Sequence, residues 1–190
     1  MNNKKSGWRW LTGACLLLTL VACTSVPMST LWRMSRFDKA DFLAIEAEAL
    51  RVRLTADAHL AVDVERSSLL LELRDSDGLT TVYDLKITEL SSRQHSESRW
   101  WQADRQLSTQ LFALTDEGVE RLQAFQQRLA EMGPGSAGLS VDIEFKSDKQ
   151  QQQQSGEFDV AIRLAEDDDY IVLFEGADYD PKAWAESQQD

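Results

Sequence analysis

Cysteine is almost absent: the 190 residues contain only Cys15 and Cys23. The chain after residue 23 therefore has no thiol. This excludes a disulfide within it, a cysteine nucleophile and cysteine-ligated zinc, so its core must hold by burial alone. Histidine is equally scarce, with only His59 and His95. Base is in deficit: 20 Lys and Arg stand against 32 Asp and Glu, a formal charge of −12. Such a surface repels phosphate backbones, which makes nucleic acid a poor partner. There is no Gly-x-Ser-x-Gly elbow and no glycine-rich phosphate loop, so neither a hydrolase nucleophile nor nucleotide binding has a motif behind it.

What the sequence does contain begins at its N terminus. Lys4, Lys5 and Arg9 form a basic stretch with no acid before Asp38. An apolar run follows through Leu16, Leu17, Leu18, Leu20, Val21 and Ala22. It is as long as a signal-peptide core and too short to span a bilayer, which takes roughly 20 apolar residues. The run ends in Leu20-Val21-Ala22-Cys23. This resembles the lipobox of bacterial lipoproteins. The resemblance implies a diacylglycerol thioether on Cys23, cleavage after Ala22 and acylation of the new amine. Cys15 fits less well, because Thr12 stands where a large apolar residue belongs and the apolar core follows Cys15. The alternative is an ordinary secretory signal that happens to end at a cysteine. Thr24 follows Cys23; in the resembling lipoproteins, the lack of aspartate there favours the outer membrane, facing the periplasm. Each buried methylene of an acyl chain contributes about 0.8 kcal/mol, and two or more chains give stable anchoring.

Residues 1–22 hold three basic groups and no acid, so from Cys23 onward 17 basic residues face 32 acids, a formal charge of −15. The expected layout is a signal peptide over 1–22, a lipidated tether over 23–30, one β-rich periplasmic domain over 31–176 and a loose C-terminal tail over 177–190. The seven residues Thr24 to Thr30 reach at most about 25 Å when extended, so the domain sits close to its membrane. Leu31 to Phe42 mixes aromatic and basic residues. It reads either as a membrane-interface patch or, preferably, as the first element of the domain, with Trp32 and Phe37 packed inward. Asp38 suits the N-cap of a short helix through Ile45.

Most of the remainder predicts strands. Leu50 to Leu54 alternates strictly. Residues 68–74 and 80–90 read as a hairpin about Asp75-Ser76-Asp77-Gly78. Ser91 to Asp104 is polar apart from Trp100-Trp101 and reads as a loop. Gln106 to Leu114 is a further strand. Thr115 then offers a helix cap, and Val119, Leu122, Phe125, Leu129 and Met132 form one apolar stripe on a helix over 116–132, stopped by Gly133-Pro134-Gly135. Leu139 to Lys146 and Phe158 to Leu164 alternate as half-buried strands. The glutamine run Gln150 to Gln154 between them reads as a solvated loop. Tyr170 to Phe174 follows the acidic turn Glu166 to Asp169, and Trp184 is placed to dock the tail. The fold class is therefore α+β: an antiparallel sheet or sandwich of about seven strands with one amphipathic helix packed on it.

No set of residues marks a reaction centre. Either histidine would need a serine and an acid beside it, and both types are abundant everywhere. A glycosidase-like carboxylate pair is not distinguished among 32 acids. Asp75-Ser76-Asp77-Gly78 superficially resembles the start of a calcium loop, but its twelfth position is Lys86; Asp167 to Asp169 is likewise read as a solvated turn. No catalytic residue, metal or cofactor is expected. Trp32, Trp100 and Trp101 are the candidate partner contacts, since exposed tryptophan is favoured in binding hot spots. The expectation is an accessory lipoprotein, bound to a bilayer through Cys23 and to an envelope protein through sheet edges and tryptophans. The alternative is a carrier or sensor of a lipid or small apolar ligand in a β-sheet cavity.

Overall fold

The computed structural model describes residues 37–98, 100, 104–146 and 154–181. Seven antiparallel strands form one curled sheet, a half-barrel, in the order β5-β2-β3-β4-β1-β6-β7. They are β1 (Arg51–Asp57), β2 (Ser68–Asp75), β3 (Thr80–Glu97), β4 (Arg105–Leu114), β5 (Gly135–Asp142), β6 (Gly156–Arg163) and β7 (Ile171–Tyr179). Two helices accompany them, α1 (Lys39–Leu43) and α2 (Asp116–Glu131). The α+β class read from the sequence holds.

The alternation in β1 works as the pattern requires. Val52, Leu54 and Ala56 are buried while Arg51, Arg53, Thr55 and Asp57 face outward. Their inward face joins Leu69, Leu71 and Leu73 of β2, Leu85 and Ile87 of β3, Phe112 and Leu114 of β4, and Val160 and Ile162 of β6 in one core. Helix α2 covers this concave side with Leu122, Phe125 and Leu129. Phe125 packs edge-on to Tyr83 at 5.5 Å, and Phe42 of α1 stands 5.8 Å away. Phe37 packs on Phe42 at 4.7 Å, so this part of the Leu31–Phe42 segment joins the core. Each helix also ties the end of the other. Gln126 donates to the carbonyls of Phe42, Leu43 and Ile45, and Lys39 donates to those of Ala130 and Met132.

The caps follow sequence. Thr115 Oγ1 accepts from Gly118 N–H, and Asp38 forms a capping box with Asp41. Gly118 lets α2 approach β3 closely: a Cβ there would stand 2.5 Å from the Lys86 carbonyl oxygen. The β2–β3 turn is held by Asp75 Oδ1, which accepts from Asp77 and Leu79 N–H, with Gly78 at φ +83°.

Three boundaries differ from expectation. Ser91 to Glu97 is not a loop but the second half of β3, paired with β4 residue by residue from Ser91↔Leu111 to Glu97↔Arg105. Both its faces are wet, so it carries no apolar alternation to read. The strand expected over 139–146 starts earlier, at Gly135, because Gly135 pairs with Asp75 as soon as the chain leaves α2; of its far end only Phe145 bridges, to Val62. The strand expected over 170–174 runs on to Tyr179, burying Ala177 and Tyr179, so residues 177–179 of the tail expected over 177–190 belong to the sheet. Tyr179 lies 4.8 Å from the ring of Phe145, which fixes this extension to the core.

Candidate functional site

The longest run of exposed strand residues among those described is the second half of β3, which pairs with the first half of β4 to make a ribbon. Strand β3 changes partner along its length. Thr80 to Lys86 pairs with β2, whereas Ile87 to Glu97 pairs with β4, with a bulge between Glu89 and Ser91. From Thr88 to Glu97 every residue is exposed. One edge of this stretch is bonded to β4; among the described residues nothing pairs with the other. Such an edge presents a row of N–H and C=O groups able to accept another strand. At the tip, Trp100 is 88 % exposed, and Leu90 at the bulge is 51 % exposed.

The ribbon face that continues from the core is polar. On it, Gln110 donates to Glu89 at 2.9 Å and Gln106 donates to Ser96 at 3.0 Å. Ser92 and Ser108 hydroxyls lie 3.5 Å apart between them. These bonds replace apolar packing as the support of the strand pair. Ser108 and Gln110 are nonetheless buried.

An ionic network fixes the ribbon's base. Arg105, opposite Glu97 on the ladder, donates from Nε to Asp57 Oδ1 at 2.5 Å and from Nη1 to Glu157 Oε2 at 2.6 Å. Its Nη2 reaches the Glu157 carbonyl at 3.2 Å, and Asp57 Oδ2 accepts Glu157 N–H at 2.9 Å. One arginine thus joins β4, β1 and β6. Burial alone would raise the Asp57 pKa, but the bonds from Arg105 and Glu157 N–H together with the guanidinium charge outweigh it and hold the carboxyl below its usual range. The same bond to Asp57 raises Arg105, against the opposing effect of its burial. A cleft of about 450 Å³ opens here, lined by Asp57, Asp104, Arg105, Ser155, Glu157 and Asp178.

A second cleft, of about 540 Å³, lies between the α1–β1 connection, α2 and β6, with Glu46, Glu48, Arg51, Gln126, Arg163 and Glu166 in its wall. Arg51 and Arg163 are opposite on the β1–β6 ladder, and Arg53 follows on the same face. Arg53 stacks over Tyr170 at 4.2 Å and Arg163 lies 5.8 Å from the same ring. Arg51 donates to the Glu48 and Leu50 carbonyls. This arginine group was not singled out from sequence. Its signal was the wet face of the alternating Leu50–Leu54 segment, which is indistinguishable from any solvated strand face until β6 is placed beside it.

Of the residues expected to act, Trp100 lies at the ribbon tip, while Cys23, Trp32, Trp101 and Trp184 lie outside the described residues. His95 sits on the open strand opposite Leu107, and His59 lies in the turn after β1. The two belong to separate places, and both Asp57 oxygens near His59 are already bonded to Arg105 and Glu157. Asp75 is spent on its own turn. Among the described residues no group of three or more His, Asp or Glu side chains is arranged to hold a metal ion, and no helix is long and apolar enough to cross a membrane. No protein-family model, curated protein or solved structure matches the chain.

Proposed function

We propose that this chain is a non-catalytic accessory lipoprotein, anchored in the outer membrane by acyl chains on Cys23, whose β-rich domain contacts envelope proteins in the periplasm. The anchor rests on the basic stretch, apolar run and Leu20-Val21-Ala22-Cys23 at the N terminus. The contact role rests on one structural observation. Among the described residues, the ribbon leaves one edge of the second half of β3 open beside the exposed Trp100. An open edge supplies main-chain bonds and an aromatic side chain supplies buried area, the two parts of strand-addition recognition. The concave side of the sheet is filled by the protein's own leucine, isoleucine and phenylalanine side chains, which favours a contact surface over a carrier's cavity.

The test is site-directed photo-crosslinking in intact cells, with the crosslinker in place of Trp100. Recovery of a specific protein neighbour, absent when the crosslinker replaces exposed Glu72 on β2, is the expected result. A crosslinker at Trp100 that recovers no specific protein contradicts the proposal.

A further inference from the structure

We infer that the open edge of β3 pairs with the same edge of a second copy of this chain, antiparallel about His95. The inference rests on the proposed role of the ribbon as a protein-contact surface and names its partner. Register limits how two such edges can pair. Past the bulge, Ser91 to Glu97 is an unbroken stretch of ladder. In an antiparallel pair, a residue whose N–H and C=O point to the new edge must face another that does the same. Two copies of one strand therefore align only residues an even number of positions apart.

Within Ser91 to Glu97, where the ladder is unbroken, that parity leaves few arrangements, and charge separates them. With the two-fold axis at Arg93, two guanidinium groups face each other. With the axis at Ser92 or Gln94, Arg93 faces Ser91 or His95. With the axis at His95, Arg93 of each copy faces Glu97 of the other, and two opposite-charge pairs form symmetrically. Gln94 then faces Ser96. The devices that usually protect an edge are sparse here: Thr88 to Glu97 has no proline and no lysine. Net negative charge opposes association of two copies. The ribbon itself is nearly balanced, however, and a shared membrane anchor raises the effective concentration of one copy near another.

The test uses the full chain in intact cells. His95→Cys places a thiol against itself at the axis, so oxidation in the periplasm is expected to give a covalent species of twice the mass. Glu72→Cys, on the far face of β2, and the unaltered chain are expected to give none. Adding Arg93→Glu to His95→Cys is expected to lower the dimer at least tenfold, and adding Glu97→Arg as well is expected to restore it. Circular dichroism of each purified variant checks that the fold is kept. Absence of the His95→Cys dimer, or a dimer indifferent to the charge changes, overturns the inference. If that dimer is absent while a crosslinker at Trp100 captures a different protein, the second copy is wrong and the contact role stands. If both fail, both fall.

Discussion

Replacing Gly118 with alanine sets two effects of opposite sign against each other. In an ordinary helix interior, Gly→Ala stabilises by up to about 1 kcal/mol, through helix propensity and a less flexible unfolded chain. Gly118 is no ordinary position. A Cβ there would lie 2.5 Å from the Lys86 carbonyl oxygen and 3.3 Å from Leu114 Cβ. The obstacle is backbone in the middle of a paired strand, so the helix must retreat. Lys86 O also accepts Thr115 N–H at 3.0 Å and the Thr115 hydroxyl at 3.3 Å, and both bonds stretch as it does so. One hydrogen bond is worth about 1 kcal/mol. Forcing atoms into a packed contact costs about 1–3 kcal/mol. The penalty exceeds the propensity gain, and Gly118→Ala is expected to destabilise by about 1–3 kcal/mol, a fall in Tm of about 3–10 °C for a chain of this size. Gly138→Ala is the comparison, since the nearest atom to its Cβ is 4.0 Å away; it is expected to be neutral or stabilising. Thermal unfolding followed by far-ultraviolet circular dichroism measures both. A Gly118→Ala protein as stable as the parent refutes the close packing of α2 on β3.

Other outcomes follow from the same contacts. Arg105→Gln breaks the link from β4 to Asp57 and Glu157 and is expected to cost about 1–2 kcal/mol at neutral pH, since the site is only partly screened. Asp57 has a folded pKa below its ordinary 3.8, so its stabilisation is present above 3.8 and is lost as pH falls through the folded value. Urea titrations between pH 7 and pH 2 are therefore expected to show a smaller acid loss in Arg105→Gln than in the parent. Asp142 shows the opposite sign. Burial first, then the charges of Glu144 and Asp84, raise its pKa, so its ionised form burdens the fold above 3.8. Asp142→Asn is expected to stabilise at pH 7 and to make no difference at pH 2, read from the same urea curves. Tyr170→Ala removes the ring under Arg53 and is expected to cost about 0.5–1 kcal/mol, with Tyr170→Phe near neutral because the face of the ring makes the contact.

The legible parts of the fold were those where one face is dry. Val52 and Leu54, or Leu122, Phe125 and Leu129, declare their element because burial imposes a period on the sequence. The second half of β3 was illegible for the converse reason. Ser91, Arg93, Gln94, His95 and Ser96 face water on both sides, and their strand is carried by bonds to β4 and by Gln–Ser and Gln–Glu contacts that leave no periodic mark. The ribbon on which the proposed contact role rests was thus hidden, although Trp100 at its end was visible by its type alone. Arg105 could be read as a charged residue before a strand, but its two acidic partners lie 48 and 52 positions away and meet it only through the sheet order. The end of β7 escaped for a similar reason. Ala177 pairs with Phe158 and Tyr179 packs on Phe145, past a register shift that interrupts the alternation after Phe174.

The anchor is most directly tested by growing bacteria that produce the chain with radiolabelled palmitate and immunoprecipitating it. The expected result is label in the unaltered protein and in Cys15→Ser, and none in Cys23→Ser. Absence of label from the unaltered protein, or equal label in Cys23→Ser, contradicts the account of this domain as a lipid-held module of the envelope.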